Sequence, residues 1–147
     1  MTRLEHSIDI DAPIAVVQAV ITDFASYPRF VPHVESTEIL HTDPADPLRQ
    51  QVRFTINLLK RIRYTLDLRS KRDGGLEWSL VDGPFARNDG GWRLQALTAE
   101  RTRATYSIDL KLTAMLPRFI ETRLVAQSLP ETLQAFRDEA EQRAKHR

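Results

Sequence analysis

The sequence predicts an α+β domain in which an antiparallel sheet of about seven strands curves around one long C-terminal helix. Three patterns carry this expectation. The amino terminus has the two-residue period of a strand and passes at once into helical spacing. The strand period then returns and persists from Val52 to Leu112. After Pro117 the spacing becomes helical and stays so to the end of the chain.

Leu4, His6, Ile8 and Ile10 alternate with Arg3, Glu5, Ser7, Asp9 and Asp11, the pattern of a half-buried strand with His6 on its apolar face. Ile14, Val17, Val20 or Ile21, and Phe24 then recur at helical spacing, with Pro13 accommodated in the first turn. A second short helix is expected between Ser26 and Pro32, bracketed by prolines. Alternation is poor from His33 to Leu40. Val52, Phe54, Ile56 and Leu58 share a face, as do Ile62, Tyr64, Leu66 and Leu68, and the Leu59-Lys60-Arg61 connection makes them a hairpin. Leu76, Trp78 and Leu80 form a further strand, Trp92, Leu94 and Ala96 another, and Ala104 to Leu112 the longest. Gly90-Gly91 reads as a bulge. The terminal stripe runs through Ile120, Leu124, Ser128 or Leu129, Leu133, Phe136, Ala140 and Ala144. Pro130 interrupts it, so the helix should kink near Val125 and Ala126 or restart with Ser128 and Glu131 as a capping box.

Composition sets the class. A chain of 147 residues that is 41% hydrophobic and 28% charged is the size of a single domain, 1–147. Its 21 basic and 20 acidic residues give a net charge of +1, which argues against a dedicated nucleic-acid binder. No cysteine is present, which removes disulfides, thiolate nucleophiles and cysteine metal ligands. The expected location is cytoplasmic, with peripheral contact at the inner face of a membrane as a variant. The pattern sets no oligomeric state.

One helix cannot fill a sheet that curls around it, so a cavity is expected between the two. Its lining candidates are Phe54, Tyr64, Leu66, Trp78, Leu80, Trp92, Leu94, Tyr106, Ile108, Leu124 and Ser128. Flat rings stack on planar ligands, and tyrosine places a hydroxyl inside. In an antiparallel meander every second connection lies at the same end of the sheet. One end then collects Tyr27, Phe30, Leu58, Leu59, Phe85, Leu116 and Phe119, rimmed by Arg61, Arg87 and Arg118. Turns are normally polar, so this end reads as an entrance for an apolar ligand and as a membrane-facing surface.

The order of elements resembles the helix-grip fold of the START-like, or Bet v 1-like (SRPBCC), superfamily. Phe24-Ala25-Ser26-Tyr27-Pro28-Arg29-Phe30-Val31-Pro32 is similar to that family's aromatic, Tyr-Pro, aromatic, Pro signature. Trp78-Ser79-Leu80-Val81-Asp82-Gly83-Pro84-Phe85, followed by Gly91-Trp92-Arg93-Leu94, resembles the polyketide cyclase/dehydrase and coenzyme Q-binding subgroup. The resemblance spans essentially the whole chain. It implies a START-like ligand-binding domain whose cavity takes an isoprenoid quinone, a lipid or a polyketide-like molecule.

No catalytic or metal constellation stands out. His6, His33, His41 and His146 lack ligand spacing, and no serine pairs with a histidine in a recognisable pattern. No cofactor is implied. Three functions remain open: a carrier or chaperone for a hydrophobic small molecule, which needs only a cavity and a mouth; an aromatase/cyclase acting on a poly-β-ketone, for which Tyr64, Tyr106, Arg93 and His6 are the available inward polar groups; and a macromolecular, ribosome-associated module, which the resemblance allows and the near-neutral charge disfavours.

Overall fold

The computed structural model describes residues 2–146. β1 (Thr2–Ile10) leads into α1 (Ile14–Ile21), a 3-10 turn (Phe24–Ser26) and α2 (Tyr27–Phe30). Then come β2 (Val34–Thr42), β3 (Arg49–Asn57), β4 (Arg61–Ser70), β5 (Leu76–Asp82), β6 (Phe85–Thr98) and β7 (Arg101–Leu112). A helical run closes the chain: α3 (Arg118–Arg123), a π-helical segment (Leu124–Ser128) and α4 (Leu129–Lys145). The seven strands form one antiparallel sheet in the order β1-β7-β6-β5-β4-β3-β2. α4 lays Leu133, Phe136 and Ala140 against the concave face, beside Phe54, Leu66 and Trp92. This is the helix-grip arrangement.

The weak pattern of β2 has a physical cause. β2 is an edge strand with register shifts on both sides of Ser36–Ile39, so its alternation is broken and most of it is exposed. β6 begins well before Trp92, and Gly90-Gly91 is not a bulge: both residues pair in register with β5 and with β7. At Pro130 the helix does not restart. Ser128 keeps helical angles and its side chain makes no cap hydrogen bond. The turn before the proline widens into the π-helical segment across Val125 and Ala126, which accommodates the missing donor and the crowded ring.

α4 is also held by charge. Arg29 Nη2 lies 2.6 Å from Glu139 Oε2, Arg143 Nε lies 2.8 Å from the same oxygen, and Arg143 Nη2 lies 2.9 Å from Asp23 Oδ2. Glu139 is buried, and the Arg29 guanidinium holds its carboxyl below the ordinary value. This network ties α2 and the 3-10 turn to α4.

The core has two parts. One surrounds Phe136; the other joins Leu58, Ile62, Phe85, Ile108, Leu116 and Ile120 at the end of the sheet where the apolar connections meet. That end is plugged, not open. Leu58, Phe85 and Leu116, expected at an entrance, fold inward with exposures of 1%, 5% and 7%. Burying these side chains against α3 removes more apolar area from water than a rim position would. Two further expectations fail here. His6 is exposed on the edge strand β1, and Arg93 points to the outer face, where it pairs with Glu5 at 2.9 Å.

Candidate functional site: an aromatic cavity under the C-terminal helix

Between the sheet and the helical run lies a cavity of about 140 Å³. Its floor is Phe54 and Ile56 of β3, Tyr64, Leu66 and Leu68 of β4, Leu76 and Trp78 of β5, Trp92 of β6 and Tyr106 of β7. Leu124, Ser128, Leu129, Thr132 and Phe136 form the roof, and Tyr27 and Val31 to Val34 form one side. A larger groove of about 600 Å³ lies on the outer face, but Lys71, Asp73, Glu77, Asp89 and Arg93 make it an open, charged surface. Chemistry favours the apolar space beneath α4 as a ligand site.

The rings keep this space open by bracing one another. Phe54 and Tyr64 sit opposite in register and stack at 5.5 Å and 19°; Trp92 and Tyr106, also opposite, meet edge to face at 5.0 Å. Phe136 descends from α4 to touch Trp92 at 5.4 Å, Tyr27 at 5.3 Å and Phe30 at 5.5 Å. Rings locked edge to face cannot swing into the gap between them. Trp78 depends on Gly90. A Cβ at Gly90 would stand 2.6 Å from the indole and 2.2 Å from the Ser107 carbonyl oxygen, so only glycine lets the ring lie over β6 toward Tyr106. The indole N–H donates to Asn88 Oδ1 at 3.1 Å.

The polar groups of the cavity are few. Tyr27 donates its hydroxyl to the Ile21 carbonyl. Burial pushes the phenols of Tyr64 and Tyr106 above their ordinary value of 10.0, so both stay protonated at neutral pH. Among the described residues, no Asp, Glu, Lys or Arg lines the space. His33 stands at the margin with φ 69°, in the left-handed region, which turns the chain from α2 into β2. Its Nε2 lies 3.2 Å from Glu131 Oε2, so the side chains reach across from the β2 side to the first turn of α4.

The sequence-predicted residues divide accordingly. Phe54, Tyr64, Leu66, Trp78, Trp92, Tyr106, Leu124 and Ser128 line the cavity. Leu80, Leu94 and Ile108 do not. Ile108 belongs to the plugged end, Leu94 packs near Ile14 and Gly74, and Leu80 lies along the margins of both core clusters. Of the expected entrance residues, Tyr27 is buried and lines the cavity, and Phe30 is half-buried against Phe136. Leu59 and Phe119 are exposed, at 73% and 50%, and Arg118 is exposed beside Phe119. Arg61 pairs with Glu35 at 2.8 Å and Arg87 with Asp109 at 3.1 Å, so neither is a free rim cation. The lining residues that sequence reasoning missed include Ile56, Leu68, Leu76 and Leu129 on the apolar faces, and His33, Thr132 and Phe136. Phe136 lay on the apolar stripe and could have been found by extending the roof two turns past Ser128; nothing in the sequence signals the turn at His33.

Residues 10–136 match the model of the family described as polyketide cyclase/dehydrase and lipid transport. The chain belongs to that family. Among curated relatives, the ribosome association toxin RatA of Escherichia coli is 28% identical over 119 residues, 79% of this chain and 72% of RatA. Among solved structures, the Zhui aromatase/cyclase from Streptomyces superposes with a TM-score of 0.84 at 24% identity, covering 97% of this chain and 94% of that one. A STAR-related lipid transfer protein from Xanthomonas axonopodis gives 0.73 at 17% identity, covering 94% and 85%. These structures share the fold of the family, with the sheet and helical run in the arrangement described above. No helix among the described residues is long and apolar enough to cross a membrane.

Proposed function

We propose that the protein is a non-catalytic carrier or chaperone for a hydrophobic small molecule, held by a ring-sized group in the cavity beneath α4. The observation that carries this reading is an aromatic lining that, among the described residues, holds no Asp, Glu, Lys or Arg and has His33 only at its margin. The phenols of Tyr64 and Tyr106, pushed upward by burial, stay protonated at neutral pH, and the lining imidazole, His33, stands at the margin against Glu131. The aromatase/cyclase reading is therefore the weaker one for this chain. About 140 Å³ suits one small ring, given that an apolar cavity of about 150 Å³ takes up benzene. A longer isoprenoid, acyl or polyketide chain would have to leave between Val31–Val34 and Ser128–Thr132, past the His33–Glu131 contact. Contact with a donor membrane fits the exposed Leu59, Met115 and Phe119 beside Lys60 and Arg118.

Mass spectrometry of an organic extract of the purified protein tests the carrier reading. A co-purified apolar molecule, or uptake of an added one with a change in tryptophan emission, is the expected result. Both tryptophans of the chain line the cavity, so an emission unmoved by every apolar probe counts against it. A second reading, attachment to ribosomes, is favoured by the likeness to RatA. Co-sedimentation with ribosomes that persists when the cavity is blocked would favour it over the carrier.

A further inference from the structure

Several buried and half-buried polar side chains in this protein have partners. Trp78 Nε1 donates to Asn88 Oδ1, the Thr102 hydroxyl to the Ala12 carbonyl at 2.8 Å, and the Thr132 hydroxyl to the Ser128 carbonyl at 2.7 Å. The buried hydroxyls of Thr55 and Thr65 have none among the described residues, and the cavity gathers further unpaired donors. The hydroxyls of Tyr64, Tyr106 and Ser128 and the Trp92 indole N–H all belong to lining residues, and none has a hydrogen-bond partner among the described residues. They are not sealed against apolar atoms either: the one sealed, unpartnered side-chain atom among the described residues is Asp109 Oδ1, which lies elsewhere. The hydroxyls of Tyr64, Tyr106 and Ser128 therefore open onto the cavity, while Trp92 also borders the outer groove. Native interiors rarely leave such groups unpaired, so their partner is whatever fills the space.

We propose that the cavity selects an uncharged, planar ring bearing hydrogen-bond-accepting oxygen, read by the hydroxyls of Tyr64 and Tyr106. This rests on the carrier reading above and narrows it. The indole N–H only donates, and a protonated phenol is a better donor than acceptor. A hydrocarbon that expelled water from the cavity would strand these donors, whereas a carbonyl oxygen pairs them. Charged ligands fit poorly. A carboxylate or phosphate would be buried with no Lys or Arg among the described lining residues and with His33 already turned to Glu131, and a cation would face inward N–H and O–H dipoles of the wrong sign. The rings supply shape: Phe54 and Tyr64 are nearly parallel, and Trp78 and Trp92 flank Tyr106, so a flat molecule has faces to lie against.

The test compares 1,4-benzoquinone with p-xylene, single-ring probes of the size the cavity takes, which differ in carrying carbonyl oxygens or methyl groups. The chain has no cysteine to add to the quinone. Calorimetric titration of the wild type should show tighter binding of the quinone by roughly tenfold, from two hydrogen bonds of ordinary net strength. In Tyr64→Phe/Tyr106→Phe, which keeps both rings, that preference should vanish while the hydrocarbon binds no more weakly than before. A quinone preference that survives in the double variant, or hydrocarbon binding with no preference in the wild type, overturns the selection and leaves the carrier reading standing. Tighter binding of tetraethylammonium than of either probe also overturns it, in favour of an aromatic cation cage. Failure of both ring probes to bind the wild type overturns the selection and the carrier reading together.

Discussion

Around Leu58, Ile62, Phe85, Leu116 and Ile120 the inner surface of the sheet is filled, whereas around Tyr64, Trp92, Tyr106 and Phe136 it encloses empty space. Both regions come from the same strands and the same alternation. They differ in what closes them. At the filled end, flexible aliphatic side chains from the turns and from α3 collapse into any gap. At the other, rings fix one another edge to face, and the helix above is widened by its π-helical turn. Burial thus follows from periodicity, but occupancy follows from side-chain shape.

The largest expected effects set the two regions side by side. Phe136→Ala should cost about 3–5 kcal/mol, and Leu58→Ala about 2–5 kcal/mol, in urea unfolding. Only the first should alter the affinity for a ring probe. Equal effects on binding would break the distinction between site and plug. Gly90→Ala comes next. Its methyl group meets the Trp78 indole and the Ser107 carbonyl, so overpacking should cost about 1–3 kcal/mol. In a Trp92→Phe background, where Trp78 is the only tryptophan, its emission should shift; an unchanged spectrum would mean that Gly90 does not position the ring.

The pH dependence of the α4 anchor is smaller. Arg29, and then Arg143, hold the Glu139 carboxyl below its ordinary 4.5. A group whose folded value is depressed contributes stability above its unfolded value and loses that contribution as pH falls through the folded one. Wild type should therefore lose stability more steeply than Glu139→Gln below about pH 4.5, and parallel acid titrations would show that the network does not anchor the helix. The smallest effect belongs to the exposed end. Leu59→Ser, Phe119→Ser and Arg118→Ser should each change stability by less than about 0.5 kcal/mol. Combined, they should weaken binding to anionic vesicles; unaltered binding would leave these residues without a membrane role.

Much of this was legible in the sequence, because a period of two or of 3.6 residues records directly which side chains face inward. Phe54, Tyr64, Trp92 and Tyr106 were found that way, and so was the long helical run. The errors share one cause. Periodicity assigns a face but not a position along the element, so Leu94 and Ile108 were placed on the right face at the wrong height. Leu58, Phe85 and Leu116 were read as a mouth because apolar turns are unusual, yet a turn whose side chains fold inward serves equally well as a plug. His33 was invisible for a different reason: its place at the cavity margin depends on a left-handed backbone that its identity permits without requiring.

The central claim is that the space beneath α4 is a binding site and not a packing defect. Isotope-filtered nuclear Overhauser spectra of the labelled protein with p-xylene test this directly. Contacts from the probe to the rings of Tyr64, Trp92, Tyr106 and Phe136 are the predicted result. Contacts confined to Leu59, Met115 and Phe119, with the cavity rings unperturbed, would contradict it.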